Sequence, residues 1–396
     1  MNRKILHLDL DAFFCAVEEL RDPDLVGMPF AVGGSPDSRG VVASCSYAAR
    51  QRGIHSAMPM STALRLCPDL IVVPGRHRAY GETSRLVMAR LHAITPLVEQ
   101  ISIDEAFLDV SDLPDAAEAI ARQLQAAICD DLGLPCSLGV ASNKLVAKIA
   151  NDAGKAANRS ARPPNAITVV PPGQEAVFLA PLPAQALWGV GLKTATRLGE
   201  WGIRTIGDLA ALPEAELVRR LGVLGHELAQ RSHGLDERSV VVEHETKSVS
   251  KETTFARDIA DGVALQRTLR LLADGVGKEL RRESLSGRTV KLKLRWSDFT
   301  TITRQATLPQ PTDLDDDIAE AALHLFIQAW QKGRPVRLLG VGVSGLAGSY
   351  RQLGLWDQEG EEERRLQHVL DDLRARFGAK ALQRASTLHG WQEQSD

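Results

Sequence analysis

The sequence predicts a multidomain α/β protein, and three observations carry that expectation. The chain has 396 residues, too many for one ordinary hydrophobic core, so about two to four domains are expected. Short, nearly continuous apolar runs alternate with segments of helical periodicity in its first part. Further on, Thr289-Val290-Lys291-Leu292-Lys293-Leu294-Arg295-Trp296 alternates strictly, as in a strand packed on one face and cationic on the other.

The first strand reads Ile5-Leu6-His7-Leu8-Asp9-Leu10-Asp11, a buried run whose last residues deliver carboxylates to a sheet edge. A helix follows, with Phe13, Val17 and Leu20 at helical spacing and Asp11 as its cap. Val41-Val42-Ala43 reads as a short strand, and Tyr47 to Arg52 as a helix stopped by Gly53. Between Val98 and Val110 the pattern predicts a β-hairpin with Asp104 and Glu105 at its turn. Ser142 opens a helix through Asp152, with Gly154 just past its end. The pairs Pro163-Pro164 and Pro171-Pro172 then mark a domain boundary. A small helical unit runs from about Pro181 to Leu235, and a polar linker from Asp236 to about Glu245 leads to a final α/β unit. Leu366, Val369, Leu370, Leu373 and Phe377 predict a short amphipathic helix from Glu361 to Phe377.

At 44% hydrophobic and 24% charged, the composition is that of a soluble globular protein, with no apolar run that could span a membrane. Met1 to Leu6 leads straight into the acidic strand with no signal segment, and the five cysteines form no CxxC pair. A cytoplasmic protein with reduced thiols and no zinc site is expected. The net charge of −3 conceals an uneven distribution. Arg281 to Arg304 holds seven basic residues against two acids, whereas the tail from Asp357 holds nine acids and six bases. Such a basic face suits a nucleic acid, or else a merely solvated surface.

Asp9, Asp104 and Glu105, clustered at strand ends, are the strongest chemical signal. Two-metal phosphoryl transfer needs several carboxylates converging on Mg²⁺ ions about 3.5–4 Å apart. An isolated acid at a strand end is ordinarily a turn former or a cap. An apolar strand ending in acids, beside a hairpin tipped by Asp-Glu, points instead to metal binding.

The segments Leu8-Asp9-Leu10-Asp11-Ala12-Phe13-Phe14 and Ser102-Ile103-Asp104-Glu105-Ala106-Phe107-Leu108-Asp109 resemble the two acidic motifs of Y-family DNA polymerases. Ala43-Ser44-Cys45-Ser46-Tyr47-Ala48-Ala49-Arg50 resembles that family's fingers motif, and Leu138 to Ala150 its palm helix motif. The resemblance covers roughly residues 1 to 350. It implies a right-hand polymerase with palm (1–11 and 75–165), fingers (12–74), helical thumb (166–235), linker (236–245) and an α/β little finger (246–347). A clamp-binding peptide and helical tail follow (348–396).

It also implies roles. Asp9, Asp104 and Glu105 match the metal-binding, catalytic carboxylates of two Mg²⁺ ions, with Leu10 contributing its backbone carbonyl. Ser44, Tyr47, Arg50 and Lys155 match nucleotide contacts, although Asp152-Ala153-Gly154-Lys155-Ala156 departs from the family's commoner Ala-Lys-Pro. Standing alone, Tyr47 reads as a packing residue and Lys155 as a solvated charge. Phe14 matches the steric gate, a ring that leaves no room for a ribose 2′-OH.

Leu187 to Ala195, with Gly189 and Gly191, looks like a helix-hairpin-helix whose glycines let backbone N–H groups approach a phosphate. Lys291, Lys293 and Arg295 would lie on DNA phosphates without reading sequence. Gln352-Leu353-Gly354-Leu355-Trp356 resembles the peptide by which bacterial polymerases dock on the sliding β-clamp, with Gln352, Leu353, Leu355 and Trp356 as anchors. A linker packing on its own domain is the other reading of those residues.

The expected function is Mg²⁺-dependent addition of deoxynucleotides to a primer on normal and damaged template, at low fidelity. The expected enzyme is a monomer, partnered by primer-template DNA, deoxynucleoside triphosphates and the clamp, and by no membrane. A non-catalytic accessory protein of the same family would lack the carboxylates. A nucleotidyl cyclase with a palm-like core would explain the acids but not the glycine hairpin or the basic strand.

Overall fold

The structure is a computed structural model that describes residues 3–158, 160–348 and 359–378. The chain divides into two compact units, Met1–His244 and Glu245–Asp396.

Unit one opens with β1 (Ile5–Leu10), α1 (Phe13–Arg21), β2 (Phe30–Gly33), β3 (Val42–Cys45) and α2 (Tyr47–Gln51). It continues through α3 (Met60–Leu66), β4 (Ile71–Val73), α4 (His77–Ile94), β5 (Val98–Gln100) and β6 (Glu105–Asp109). Next come α5 (Ala117–Leu132), β7 (Cys136–Ala141), α6 (Lys144–Ala157) and β8 (Ile167–Val169). A helical region closes the unit: α7 (Glu175–Leu179), α8 (Leu192–Glu200), α9 (Ile206–Ala210), α10 (Glu214–Leu221) and α11 (Val223–Ser232).

β1 is the middle strand of a five-stranded sheet ordered β5-β6-β1-β7-β8. Covered on both faces, it must be apolar nearly throughout. Its two-residue alternation still sorts its side chains. Leu6, Leu8 and Leu10 pack in one cluster with Val87 and Leu91 of α4 and Leu124 and Ile128 of α5. Ile5 joins the other cluster, with Leu145, Val146 and Ile149 of α6. His7 and Asp9 share that second face, so the first motif acid is turned towards α6. The backbones meet closely there: a Cβ on Gly139 of β7 would lie 1.9 Å from the Ala147 carbonyl oxygen. Asn151, buried between them, donates to the His7 and Ser137 carbonyls at 3.2 and 3.1 Å. A second sheet, β3-β2-β4, packs with α2 and α3 around Ala31, Cys45, Ala49 and Met60.

Several local expectations change. α6 runs to Ala157 and does not stop before Gly154. The glycine is a contact residue, since a Cβ there would meet Thr168 Oγ1 at 2.2 Å, and Lys155 therefore lies in the last turn. Asp11 is no cap. Ala12 holds the N-cap position in the left-handed region, with no side-chain bond, and Asp11 is buried among other partners. The Gly189 hairpin is preceded by a single 3₁₀ turn, Ala184–Ala186, where an α-helix was expected.

Unit two comprises β9 (Ser248–Ile259), α12 (Gly262–Arg282), β10 (Leu285–Trp296), β11 (Thr301–Thr312), α13 (Asp315–Ala329), β12 (Val336–Gly348) and α14 (Glu359–Phe377). Its sheet, ordered β11-β10-β12-β9, is antiparallel throughout. Val290, Leu292, Leu294 and Trp296 pack with Leu269 and Leu280 of α12 and Phe326 of α13, as the alternation predicts. α14 docks by a face rotated from the expected one, which keeps Leu370 and Leu373 half-buried. Leu366, Val369 and Phe377 are exposed, whereas Gln367 and Arg374 are buried. Ion pairs from Arg281 to Asp371 and from Arg374 to Asp274 hold α14 to α12.

Candidate active site

The two acidic motifs meet because β1 and β6 pair with Asp9 directly opposite Glu105. The Leu10 N–H donates to the Asp104 carbonyl at 3.0 Å, so the hairpin turn is stitched to the strand that carries Asp9. Ser102 fixes the turn. Its hydroxyl accepts from the N–H groups of Asp104 and Glu105 and donates to Asp104 Oδ1 at 2.5 Å. The Leu10 side chain is buried in the core, which leaves only its backbone for a ligand.

Two lysines of α6 balance the acids. Lys155 Nζ lies 2.5 Å from Asp9 Oδ1 and 3.3 Å from Asp11 Oδ1. Lys148 Nζ lies 2.6 Å from Glu105 Oε2, and His7 Nε2 lies 3.2 Å from the same oxygen. The His7 contact, with help from Lys148, draws the Glu105 carboxyl down to about 2. Asp104 moves the other way: burial raises it, and the neighbouring charges of Asp9 and Glu105 add to the rise. Burial alone would lower Lys148, but its bond to Glu105 keeps it raised and charged.

Sequence reasoning missed His7 and Lys148. A histidine inside an apolar strand was the available signal for the first. Lys148 lies within Leu138 to Ala150, the segment that resembles the palm helix motif. Asp11, taken for a cap, accepts from Ser137 Oγ at 2.9 and 3.1 Å and from the Asn165 N–H at 3.1 Å, and the Tyr47 hydroxyl lies 3.5 Å away.

A cavity of about 360 Å³ opens beside these groups, and Asp9, Leu10, Asp104, Phe14, Ser44, Tyr47, Arg50 and Lys155 all line it. Glu105 does not. Ser46 caps α2 by accepting from the Ala49 N–H, which sets Tyr47 as its first residue, with Arg50 in its last turn. The Arg50 guanidinium lies 4.7 Å from the Tyr47 ring centroid, and its Nε donates to the Cys45 carbonyl. Burial pushes the Tyr47 phenol well up, so it serves as a neutral donor. Phe14 stacks on Tyr80 with centroids 4.2 Å apart.

The donor set of Asp9, Asp104, Glu105 and the Leu10 carbonyl is all hard oxygen, which fits a divalent cation such as Mg²⁺. Burial, and then the charges of Asp9 and Glu105, disfavour the Asp104 carboxylate, and such a cation would offset both. Asp9 and Glu105 as placed are nevertheless paired with Lys155 and Lys148, and Asp104 with the Ser102 hydroxyl. Among the described residues no three His, Cys, Asp or Glu side chains converge to hold an ion.

The other residues singled out in the sequence lie elsewhere. Gly189 has a φ of +101°, and Gly191 is the N-cap of α8 with open space where a Cβ would stand. In unit two, Lys291, Lys293 and Arg295 alternate with the buried residues of β10 and so share its outer face, opposite Gln305, Thr303 and Thr301 of β11. Lys293 is paired with Glu252 of β9 at 2.8 Å, and Arg295 Nε donates to Thr301 Oγ1. Glu252 reaches across Gly340 of β12, where a Cβ would meet its Cγ at 2.7 Å. Gln352, Leu353, Leu355 and Trp356 lie outside the described residues. No helix among the described residues is long and apolar enough to cross a membrane.

Residues 8–152 match the model of the impB/mucB/samB family, and residues 246–355 match that family's C-terminal domain. A curated relative, DNA polymerase IV of Dehalococcoides mccartyi (strain CBDB1), is 39% identical over 97% of this chain and 97% of its own. DNA polymerase IV of Alkalilimnicola ehrlichii is 44% identical over 87% of this chain and 95% of its own. Among solved structures, a Y-family DNA polymerase chimera, Dbh-Dpo4(243-245)-Dbh, is similar with a TM-score of 0.74. The alignment has 24% identity and covers 86% of this chain and 98% of that one. The fold and the acid-lined cavity thus define a right-hand DNA polymerase. More narrowly, the chain belongs to the impB/mucB/samB family of Y-family polymerases, the DNA polymerase IV type.

Proposed function

We propose that the chain extends primer 3′ ends with deoxynucleotides opposite normal and damaged template bases, as an error-prone translesion polymerase. The observation that supports this best is the single cavity shared by Asp9, Asp104, Phe14, Tyr47, Arg50 and Lys155. Strand-end acids, the phenol and guanidinium of the short helix α2, and a helix-borne ammonium there surround a space fit for a nucleoside triphosphate. Asp9, Asp104, Glu105 and the Leu10 carbonyl would hold two Mg²⁺ ions, which supply a lowered pKa at the attacking hydroxyl and charge neutralisation at the triphosphate.

Tyr47, Arg50 and Lys155 bind the triphosphate, with Ser44 beside them. Lys155 exchanges its pairing with Asp9 for a phosphate oxygen, which frees that carboxylate. Lys148 and His7 keep Glu105 ionised. Phe14 closes the sugar side of the cavity against a 2′-OH.

DNA is held by the Gly189 turn and the open N-cap of α8 at Gly191, and by Lys291, Lys293 and Arg295, all through phosphates. We read palm, fingers, thumb, linker and little finger with the boundaries expected from the sequence. The enzyme works as a cytoplasmic monomer, with Gln352, Leu353, Leu355 and Trp356 docking on the sliding clamp. Changing Leu355 and Trp356 to Ala should remove clamp stimulation and leave clamp-free synthesis intact. Primer extension on gapped and lesion-containing templates tests the main reading. Formation of cyclic nucleotide without primer extension would overturn it.

A further inference from the structure

Phe14 and Glu18 stand four residues apart on α1, so they project from one face of that helix. Tyr80 of α4 touches both. Its ring stacks on Phe14, with centroids 4.2 Å apart and planes 12° from parallel. Its hydroxyl donates to Glu18 Oε1 at 2.6 Å. Arg76, just before α4, is ion-paired with the other Glu18 oxygen. His77 sets its ring edge-on to Phe14 and Tyr80, at 6.1 and 6.0 Å.

Glu18 is fully buried, a rare place for a carboxylate, and it is tolerated because both its oxygens are engaged. It does not line the cavity that holds the acids and the triphosphate contacts. Burial and the bond to Glu18 raise the Tyr80 phenol to about 12, so the hydroxyl remains a donor at any working pH.

We propose that Glu18 is a specificity-determining positioning residue: it locks Tyr80 through the phenol, and Tyr80 backs the Phe14 ring so that it does not yield to a ribose. This rests on the reading of Phe14 as the sugar gate. A steric wall discriminates only while it stays in place. Phe14 has no polar atom of its own to anchor it. The anchor is supplied one layer behind, where a stacked ring carries a hydrogen bond and an ion pair. α4 thereby ties the region after β4 to the helix that carries the gate.

The test is single-nucleotide incorporation by the full chain with matched ribo- and deoxynucleotides. Tyr80→Phe keeps the ring and loses the donor. Glu18→Ala loses the acceptor, and Glu18→Gln retains it. Tyr80→Phe and Glu18→Ala should raise the ribo-to-deoxy efficiency ratio by about tenfold, a fraction of the ~10²-fold by which an apolar wall rejects an added hydroxyl. Deoxynucleotide efficiency should change by less than about threefold, and Glu18→Gln should stay near the parent ratio. Neither change should add to the effect of Phe14→Ala, since both act through that ring.

An unchanged ratio in Tyr80→Phe and Glu18→Ala, with a raised ratio in Phe14→Ala, overturns the role of Glu18 and leaves the gate standing. A parallel fall in both efficiencies marks a purely structural role and overturns it too. An unchanged ratio in Phe14→Ala itself defeats the gate reading instead. If Glu18→Ala fails to fold, Tyr80→Phe decides, because Arg76 keeps its partner there.

Discussion

The ammonium of Lys155 stands between two carboxylates, 2.5 Å from Asp9 and 3.3 Å from Asp11. Asp11 is held from behind by Ser137 and Asn165, so it fixes the lysine from the buried side, while Asp9 faces the cavity. Lys155→Ala should raise the KM for deoxynucleoside triphosphates by roughly 10–100-fold, the equivalent of one charge-assisted hydrogen bond of about 1.5–3 kcal/mol. Steady-state extension over a range of nucleotide concentrations measures this. An unaltered KM would remove Lys155 from the triphosphate site.

Asp104→Ala with Glu105→Ala should lower nucleotide addition by about a thousandfold or more, the scale of lost transition-state charge stabilisation. DNA binding should hold, while the melting temperature should fall modestly because Lys148 and His7 lose Glu105 as their partner. Primer extension and a binding titration on one preparation separate the two effects. Surviving polymerisation in the double variant would refute this active site.

Phe14→Ala should raise incorporation of ribonucleotides relative to deoxynucleotides, since it removes the ring proposed to meet the 2′-OH. The ratio of the two efficiencies is the quantity to measure. Equal ratios in parent and variant would refute the gate.

Alanine at Lys291, Lys293 and Arg295 should weaken primer-template binding alike on all sequences and flatten its dependence on salt. Each lost phosphate contact should lower the log–log slope by about one. Lys293 shares its charge with Glu252, so Lys293→Ala alone should change the slope least and Glu252→Gln should tighten binding. Titrations at several salt concentrations check both. A slope indifferent to the triple change would exclude this strand from the interface.

Asp315 provides a pH dependence. Burial, then a hydrogen bond with Asp274, raises its carboxyl to about 7, against the pull of Arg281. Asp371 and Arg374 of α14 belong to the same network. The folded state thus binds a proton that the unfolded chain, with an ordinary carboxyl near 3.9, has released. The stabilisation is complete below about pH 4 and is lost as pH rises towards 7. Asp315→Asn should flatten that fall by a few kcal/mol at most, at about 1.4 kcal/mol for each tenfold in proton affinity. Denaturant titrations at about pH 5 and pH 8 measure the difference. An identical fall in the variant would place the proton elsewhere.

What was legible in the sequence followed residue type and local period. Asp9, Asp104 and Glu105 stand out together, because an apolar strand ending in acids beside a hairpin tipped by Asp-Glu is more than the turn former or cap that a lone acid would be. β10 was readable because alternation states which residues face the core. Asp11 was misread because its partners Ser137 and Asn165 lie more than a hundred residues away in sequence. Gly154 was taken for a stop because its true neighbour, Thr168, comes from a later strand. For α14, periodicity alone does not reveal the ion pairs to Asp274 and Arg281 that help set which face docks.

The close approach of α6 to β7 at Gly139 has a consequence for how the site works. No layer of side chains separates helix and strand there to act as a cushion, and Asn151 bolts the helix to β1 as well. Lys148 and Lys155, two turns apart on that helix, are therefore part of the same rigid body as the strand-end acids. When Lys155 leaves Asp9, the movement is one of side-chain torsions and not of the helix against the strand. The cationic scaffold itself is preorganised, and it need not be rebuilt in each catalytic cycle.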